Sequence, residues 1–222
     1  MAETLKGDTT VLEPTRAERA IARRTAETRA TVPDLELGAE VDIAPALATA
    51  AAQDCSLAAV LVRACALALR ASPRANAAYR DGRYELYSRV NVAVTVATED
   101  GYASPTILDA DTKPLPTLDA ELTTLTERAR TGELTPPQLA GATFTLTDLG
   151  PWGVDRPGTL VSPPQVAALA AGAVRTVPVI REGAVVPGQA LNLTLACDSR
   201  ILFGVHAARF LANVCEQLAA TR

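Results

Sequence analysis

The segment from Ser56 to Ala71 constrains the fold more than any other part of the sequence. Leu57, Val60, Leu61, Ala64, Cys65, Leu67 and Ala68 recur at helical spacing and leave almost no polar face. A helix apolar nearly all round belongs at the centre of a core, with structure on more than one side. The flanking sequence supplies two kinds of partner. Strand-like alternation runs through Leu35, Leu37, Val41 and Ile43, through Val90, Val92, Val94 and Val96, through Phe144 and Leu146 between Thr143, Thr145 and Thr147, and through Leu191, Leu193, Leu195 and Cys197. Helical signals open at Pro14 and at Pro45, mark Leu118, Leu122, Leu125 and Ala129 before Gly132, and close the chain with Phe210, Leu211, Val214 and Leu218 between about Val205 and Ala220. Arg80-Asp81-Gly82-Arg83 reads as a tight turn. No repeat or linker interrupts this order. The expectation is a flexible N-terminus over residues 1–13 and one α/β domain over 14–222.

Composition excludes several classes of function. The chain has 222 residues, 48% of them hydrophobic, which is enough to build a sizeable core. A net charge of −4 argues against nucleic acid, whose binding needs a cationic surface. There is no charged-then-apolar start and no apolar run of about 18 residues, so no membrane association is expected and the location is expected to be cytoplasmic. Cys55, Cys65, Cys197 and Cys215 form no C-x-x-C pair or metal-ligand cluster, so free thiols and no metal are expected. A single histidine, His206, is the one candidate for any histidine-based mechanism.

Several motifs then occur in a specific order: Ile21-Ala22-Arg23-Arg24, Val41-Asp42-Ile43, Asn76, Gly101 to Pro105, Gly132-Glu133-Leu134-Thr135, Phe144 to Gly150, Trp152-Gly153-Val154 and Pro163-Pro164-Gln165. Together, from about Pro14 to Leu218, they resemble the catalytic domain of the dihydrolipoamide acyltransferases. The resemblance implies a chloramphenicol acetyltransferase-like fold, an α/β two-layer sandwich with a mixed sheet packed by helices. It also implies acetyl-CoA or another acyl-CoA as cosubstrate, and a homotrimer whose sites lie between subunits. The family's lipoyl and subunit-binding domains are not in this sequence, so the chain is not expected to carry its own swinging-arm substrate.

Where the family has Asp-His-Arg-x-x-Asp-Gly, this sequence has Asp198-Ser199-Arg200-Ile201-Leu202-Phe203-Gly204. The family's histidine is the general base that deprotonates the acceptor, and Ser199 has no comparable basicity. Phe203 stands where an orienting acid or amide is usual. The resemblance makes Thr147 the hydroxyl that donates to the oxyanion, and leaves Ser199 and His206 as the other catalytic candidates. Thr147 also reads as an ordinary polar-face strand residue, and His206 as a structural histidine at a helix start. Asp148, Asp198, Arg200, Phe203 and Gly204 are site-lining or structural. Asp198 and Arg200 read as an ion pair holding the loop, and Asp148 as a turn residue. A lipoyl-free chain with a rebuilt site resembles the natural-product acetyltransferases of tetronate type. The expectation is therefore acetyl transfer from CoA to the hydroxyl of a small-molecule intermediate in antibiotic biosynthesis. An inactive structural or binding module is the alternative.

Overall fold

The computed structural model describes residues 7–220. Of the N-terminal segment expected over 1–13, residues 1–6 lie outside the described residues, and 7–14 are exposed and form no helix or strand. Helix α1 (Arg16–Thr31) is capped by Thr15, the residue after Pro14. The Thr15 hydroxyl accepts from the Glu18 amide at 3.2 Å, and the Glu18 carboxylate accepts from the Thr15 amide at 2.6 Å, a reciprocal cap that fixes the start. Of its residues only Thr28 is buried.

Strand β1 (Asp34–Asp42) leads into α2 (Ala44–Ala52) and then α3 (Leu57–Ala71). The latter is the helix expected at the centre of the core, and it buries residues on most sides between Ala59 and Leu69. The short strands β2 (Ala77–Arg80) and β3 (Arg83–Leu86) form a hairpin whose two turn residues, Asp81 and Gly82, take φ of +48° and +74°. Two positive φ values in a row match the twist of the hairpin, and Asp-Gly tolerates them. There follow β4 (Val92–Val94), β5 (Val96–Thr98), β6 (Gly101–Ala103), β7 (Thr106–Ile107) and α4 (Leu115–Arg130). The chain ends with β8 (Phe144–Asp148), β9 (Ala167–Ala171), β10 (Arg175–Arg181), β11 (Ala184–Asp198) and α5 (Gly204–Ala220).

Among the described residues the main sheet has seven strands, in the order β1-β11-β9-β8-β4-β7 with β10 also paired to β11. It is mixed: β8 runs parallel to both β4 and β9, and the remaining pairs are antiparallel. Helix α3 packs against α2, α4 and α5, and α5 also packs on β1 and β11. The core between sheet and helices includes Phe144, Leu146, Leu169, Leu191 and Leu193 from the strands and Phe210 and Val214 from α5. This is the expected α/β two-layer sandwich with a mixed sheet packed by helices. No single described helix is long and apolar enough to cross a membrane, and the bent pair α2–α3 supplies part of the core. All four cysteines are free; Cys65 and Cys197 are buried, and burial pushes both thiols up to about 12.

Three elements differ from the sequence expectation. The alternation from Val90 to Val96 belongs to two strands, because the chain leaves the main sheet at Thr95 and pairs Val96–Thr98 with β6. Val90, Val92, Val94 and Val96 are all buried, so the alternation of valines runs on through the break and does not reveal it. Strand β9, Ala-Ala-Leu-Ala-Ala, carries no strand propensity, yet it is wholly buried between β11 and β8. Tertiary packing overrides propensity there. Strand β11 runs 15 residues, starting well before Leu191. Its first part contains Pro187 and Gly188, which read as breakers. In the structure Pro187 sits opposite Pro178, and a Cβ on Gly188 would fall 2.6 Å from a Val179 methyl, so the close β10 approach requires glycine.

Candidate functional site

The site begins with the pleat of β8. Phe144 and Leu146 face the helices and are fully buried, so Thr143, Thr145 and Thr147 face the other way. On that side a cleft of about 720 Å³ lies between the sheet and α1. Thr145, Thr147 and Asp148 line it together with Arg24, Thr28, Thr95 and Trp152. A second cleft of about 790 Å³ shares Arg24, Thr28, Tyr102, Ser104, Thr145 and Ser162 with the first, so space continues beneath α1.

Each of the three threonine hydroxyls on this face has a different partner. Thr143 donates to the Asn91 carbonyl at 3.1 Å, Thr145 donates to Gln165 Oε1 at 2.7 Å, and Thr147 Oγ1 lies 2.9 Å from Thr95 Oγ1. Asp148 Oδ1 accepts from the Gly150 amide at 2.9 Å, which closes the turn after the strand. Burial raises the Asp148 carboxyl above its ordinary pKa, opposed in part by that amide. Trp152 stands at the rim, 71% exposed.

The signature loop lies elsewhere on the chain. Asp34 pairs with Asp198 in the β1–β11 register, which sets Ser199 opposite Pro33. The Ser199 amide and hydroxyl both donate to the Pro33 carbonyl, at 3.0 and 2.7 Å. Arg200 grips Asp198 with two parallel bonds, Nε to Oδ1 at 2.9 Å and Nη2 to Oδ2 at 2.6 Å, and this pairing raises the guanidinium pKa. The same guanidinium lies 4.4 Å from the centre of the Tyr79 ring, and Tyr84 Oη donates to the Arg200 carbonyl at 3.0 Å. The β2–β3 hairpin therefore braces the loop. Phe203 is 43% exposed beneath Arg74, and Gly204 opens α5. His206 packs edge-on to Phe203 at 5.5 Å, and among the described residues its buried Nδ1 has no hydrogen-bond partner. None of the residues from Asp198 to His206 lines the Thr147 cleft. One chain carries both halves of the expected site but does not bring them together.

Residues 6–222 match the family described as 2-oxoacid dehydrogenases acyltransferase (catalytic domain). The chain belongs to that family. It is 30% identical over 203 residues to the dihydrolipoyllysine-residue acetyltransferase component of the pyruvate dehydrogenase complex of Zymomonas mobilis, covering 87% of this chain and 46% of that protein. The chain thus spans about half the length of the curated relatives it matches. Among solved structures it superimposes on the dihydrolipoamide acetyltransferase of Azotobacter vinelandii with a TM-score of 0.92 at 28% identity, over 99% of this chain and 95% of the other. That structure addresses the role of a serine, a histidine and an asparagine in the enzyme's catalytic mechanism, the last two four residues apart. The cubic core of the pyruvate dehydrogenase multienzyme complex gives the same TM-score, identity and coverage. A chloramphenicol acetyltransferase shares the fold, with a TM-score of 0.59 at 18% identity over 88% of this chain and 94% of that one.

Membership in this acyltransferase family corrects the narrower expectation. The chain is not a degenerate tetronate-type acetyltransferase: the family model spans nearly all of it, and its relatives are acetyltransferase components of pyruvate dehydrogenase complexes. The roles in natural-product and antibiotic biosynthesis and the small-molecule hydroxyl acceptor fall with it. The expectation had leaned on a lipoyl-free chain and an altered signature, and neither is specific to a hydroxyl acceptor. Sequence reasoning also missed Thr95. Its signal was present in Asn91-Val92-Ala93-Val94-Thr95-Val96, where Thr95 shares the parity of Asn91 and Ala93 opposite the valines.

Proposed function

We propose that the chain catalyses acetyl transfer between CoA and a dihydrolipoyl thiol, as the acyltransferase domain of a 2-oxoacid dehydrogenase complex. The observation that carries this reading is the hydroxyl-lined cleft presenting Thr147, in a chain whose family relatives are dihydrolipoyl acetyltransferases. The acceptor thiolate attacks the thioester carbonyl of acetyl-CoA, and its sulfur–carbon bond forms as the carbonyl oxygen takes the negative charge. Thr147 donates a hydrogen bond to that oxygen. The intermediate collapses by breaking the bond to the CoA sulfur, and the CoA thiolate leaves and takes a proton from water. The signature loop of a neighbouring subunit closes the cleft in a trimer, since one chain keeps the two halves of the site apart.

A thiol acceptor fits the altered signature. A hydroxyl needs a base to become a nucleophile, whereas a thiol is far more acidic (about 8.5 for a free cysteine) and supplies some thiolate near neutral pH without one. Ser199, with its proton committed to the Pro33 carbonyl, then has a loop-holding role. Among the described residues His206 Nδ1 has no acceptor to orient the ring as a base.

The test is acetyl transfer from acetyl-CoA to dihydrolipoamide across pH, on protein whose mass is measured by light scattering. A trimer is expected, with a rate that rises about tenfold per pH unit until the acceptor thiol itself ionises. A monomer, a plateau near pH 6.5 to 7, or transfer to hydroxyl acceptors alone would overturn the reading.

A further inference from the structure

The contact between the hydroxyls of Thr95 and Thr147 carries an inference that no family role assigns. In the parallel register Ala93 pairs with Thr145 and Val94 with Leu146. Thr95 is the next residue, and its amide still donates to the Leu146 carbonyl at 2.9 Å before the chain turns away to pair with β6. The last bond of the ladder therefore fixes Thr95 beside Thr147 on the cleft side of the sheet. Their oxygens lie 2.9 Å apart, and both residues line the cleft.

A threonine hydroxyl has one proton to donate. If Thr147 gives its proton to Thr95, none is left for the substrate. If Thr95 donates to Thr147, the Thr147 proton is free to turn into the cleft. We propose that Thr95 is a positioning residue of the acyl-transfer site, donating to Thr147 Oγ1 so that the Thr147 hydroxyl presents its proton to the oxyanion. This rests on the reading of Thr147 as the oxyanion donor. The two hydroxyls form a chain aligned in one direction, in which each bond polarises the next as negative charge develops. Thr95 acts through Thr147, so its contribution grows in the transition state and leaves substrate binding nearly unchanged.

The experiment measures steady-state kinetics of acetyl transfer from acetyl-CoA to dihydrolipoamide for wild type, Thr95→Val, Thr95→Ser, Thr147→Val and the double valine variant. Circular dichroism and light scattering check fold and assembly. Thr95→Val is expected to lower kcat about tenfold with both KM values within about twofold, as for loss of one hydrogen bond in the transition state. Thr95→Ser should recover most of the rate. The double variant should be no slower than Thr147→Val alone, because the first hydroxyl has nothing left to orient. If Thr147→Val is slow and Thr95→Val is not, the positioning role falls and the oxyanion reading stands. A slow Thr95→Val that serine does not rescue, or losses that multiply in the double variant, also overturn the positioning role. Unchanged turnover in Thr147→Val, or a wild type without transfer activity, overturns the oxyanion reading and this inference with it.

Discussion

Thr147→Val is expected to slow acetyl transfer by about 10²-fold or more, with KM and fold nearly unchanged. The substitution keeps the branched shape that β8 presents and removes only Oγ1. In the ground state that atom touches the Thr95 hydroxyl, a partner that water in the cleft can replace, so little stability is lost. In the transition state it faces a full negative charge on the former carbonyl oxygen. A preorganised donor aimed at developing charge contributes roughly 3–4 kcal/mol, and each 1.4 kcal/mol is about a tenfold rate effect. With no imidazole in the signature loop, electrostatic stabilisation supplies a larger share of the catalysis, which makes the variant more sensitive. Steady-state rates at fixed pH check this, and a rate within twofold of wild type would place the chemistry away from β8.

The largest effect on stability is expected from Phe144→Ala. Phe144 occupies the core face of β8, fully buried, with its ring edge-on to Phe210 of α5 at 5.8 Å and 70°. It joins the strand that carries the threonines to the helix that follows the signature loop. Removing a buried phenylalanine ring costs about 3–5 kcal/mol through lost burial and the cavity left behind. A paired aromatic contact adds about 0.5–1.5 kcal/mol. Against the 5 to 15 kcal/mol typical of a domain, that is about a quarter of the total or more. Guanidinium denaturation followed by circular dichroism, at one protein concentration because subunit association contributes to stability, should show the midpoint fall accordingly. A loss under about 1 kcal/mol would mean that the sheet and α5 are not held together by this pair.

Much of this was legible in the sequence because burial leaves a periodic trace. The all-round apolar run of α3, the Phe144–Leu146 alternation and the Asp81-Gly82 turn each state a local environment, and the structure realises all three. Strand β9 was not legible, since four alanines around one leucine look like helix formers until the strands on either side are known. The face of Thr95 was readable from its parity but its partner was not, because that partner lies on β8, 52 residues away in sequence. The signature loop was legible as a departure from the family, in Ser199 and Phe203, but its bracing by Tyr79 and Tyr84 depends on a hairpin packing that no local pattern encodes. The hydroxyl acceptor expected from a lipoyl-free chain with an altered signature does not follow from either feature. The chemistry runs the other way, since an acceptor that ionises by itself is the one that tolerates the loss of a base.

Histidine-independent acyl transfer is tested most directly by the His206→Ala chain, which contains no imidazole at all. The measurement is its rate of acetyl transfer from acetyl-CoA to dihydrolipoamide at about pH 8, where part of the acceptor thiol is ionised. It is made on protein with unchanged circular dichroism and assembly. A rate within about tenfold of wild type, with the same rise toward alkaline pH, is the expected result. Transfer no faster than the uncatalysed background would contradict it and make His206 the base.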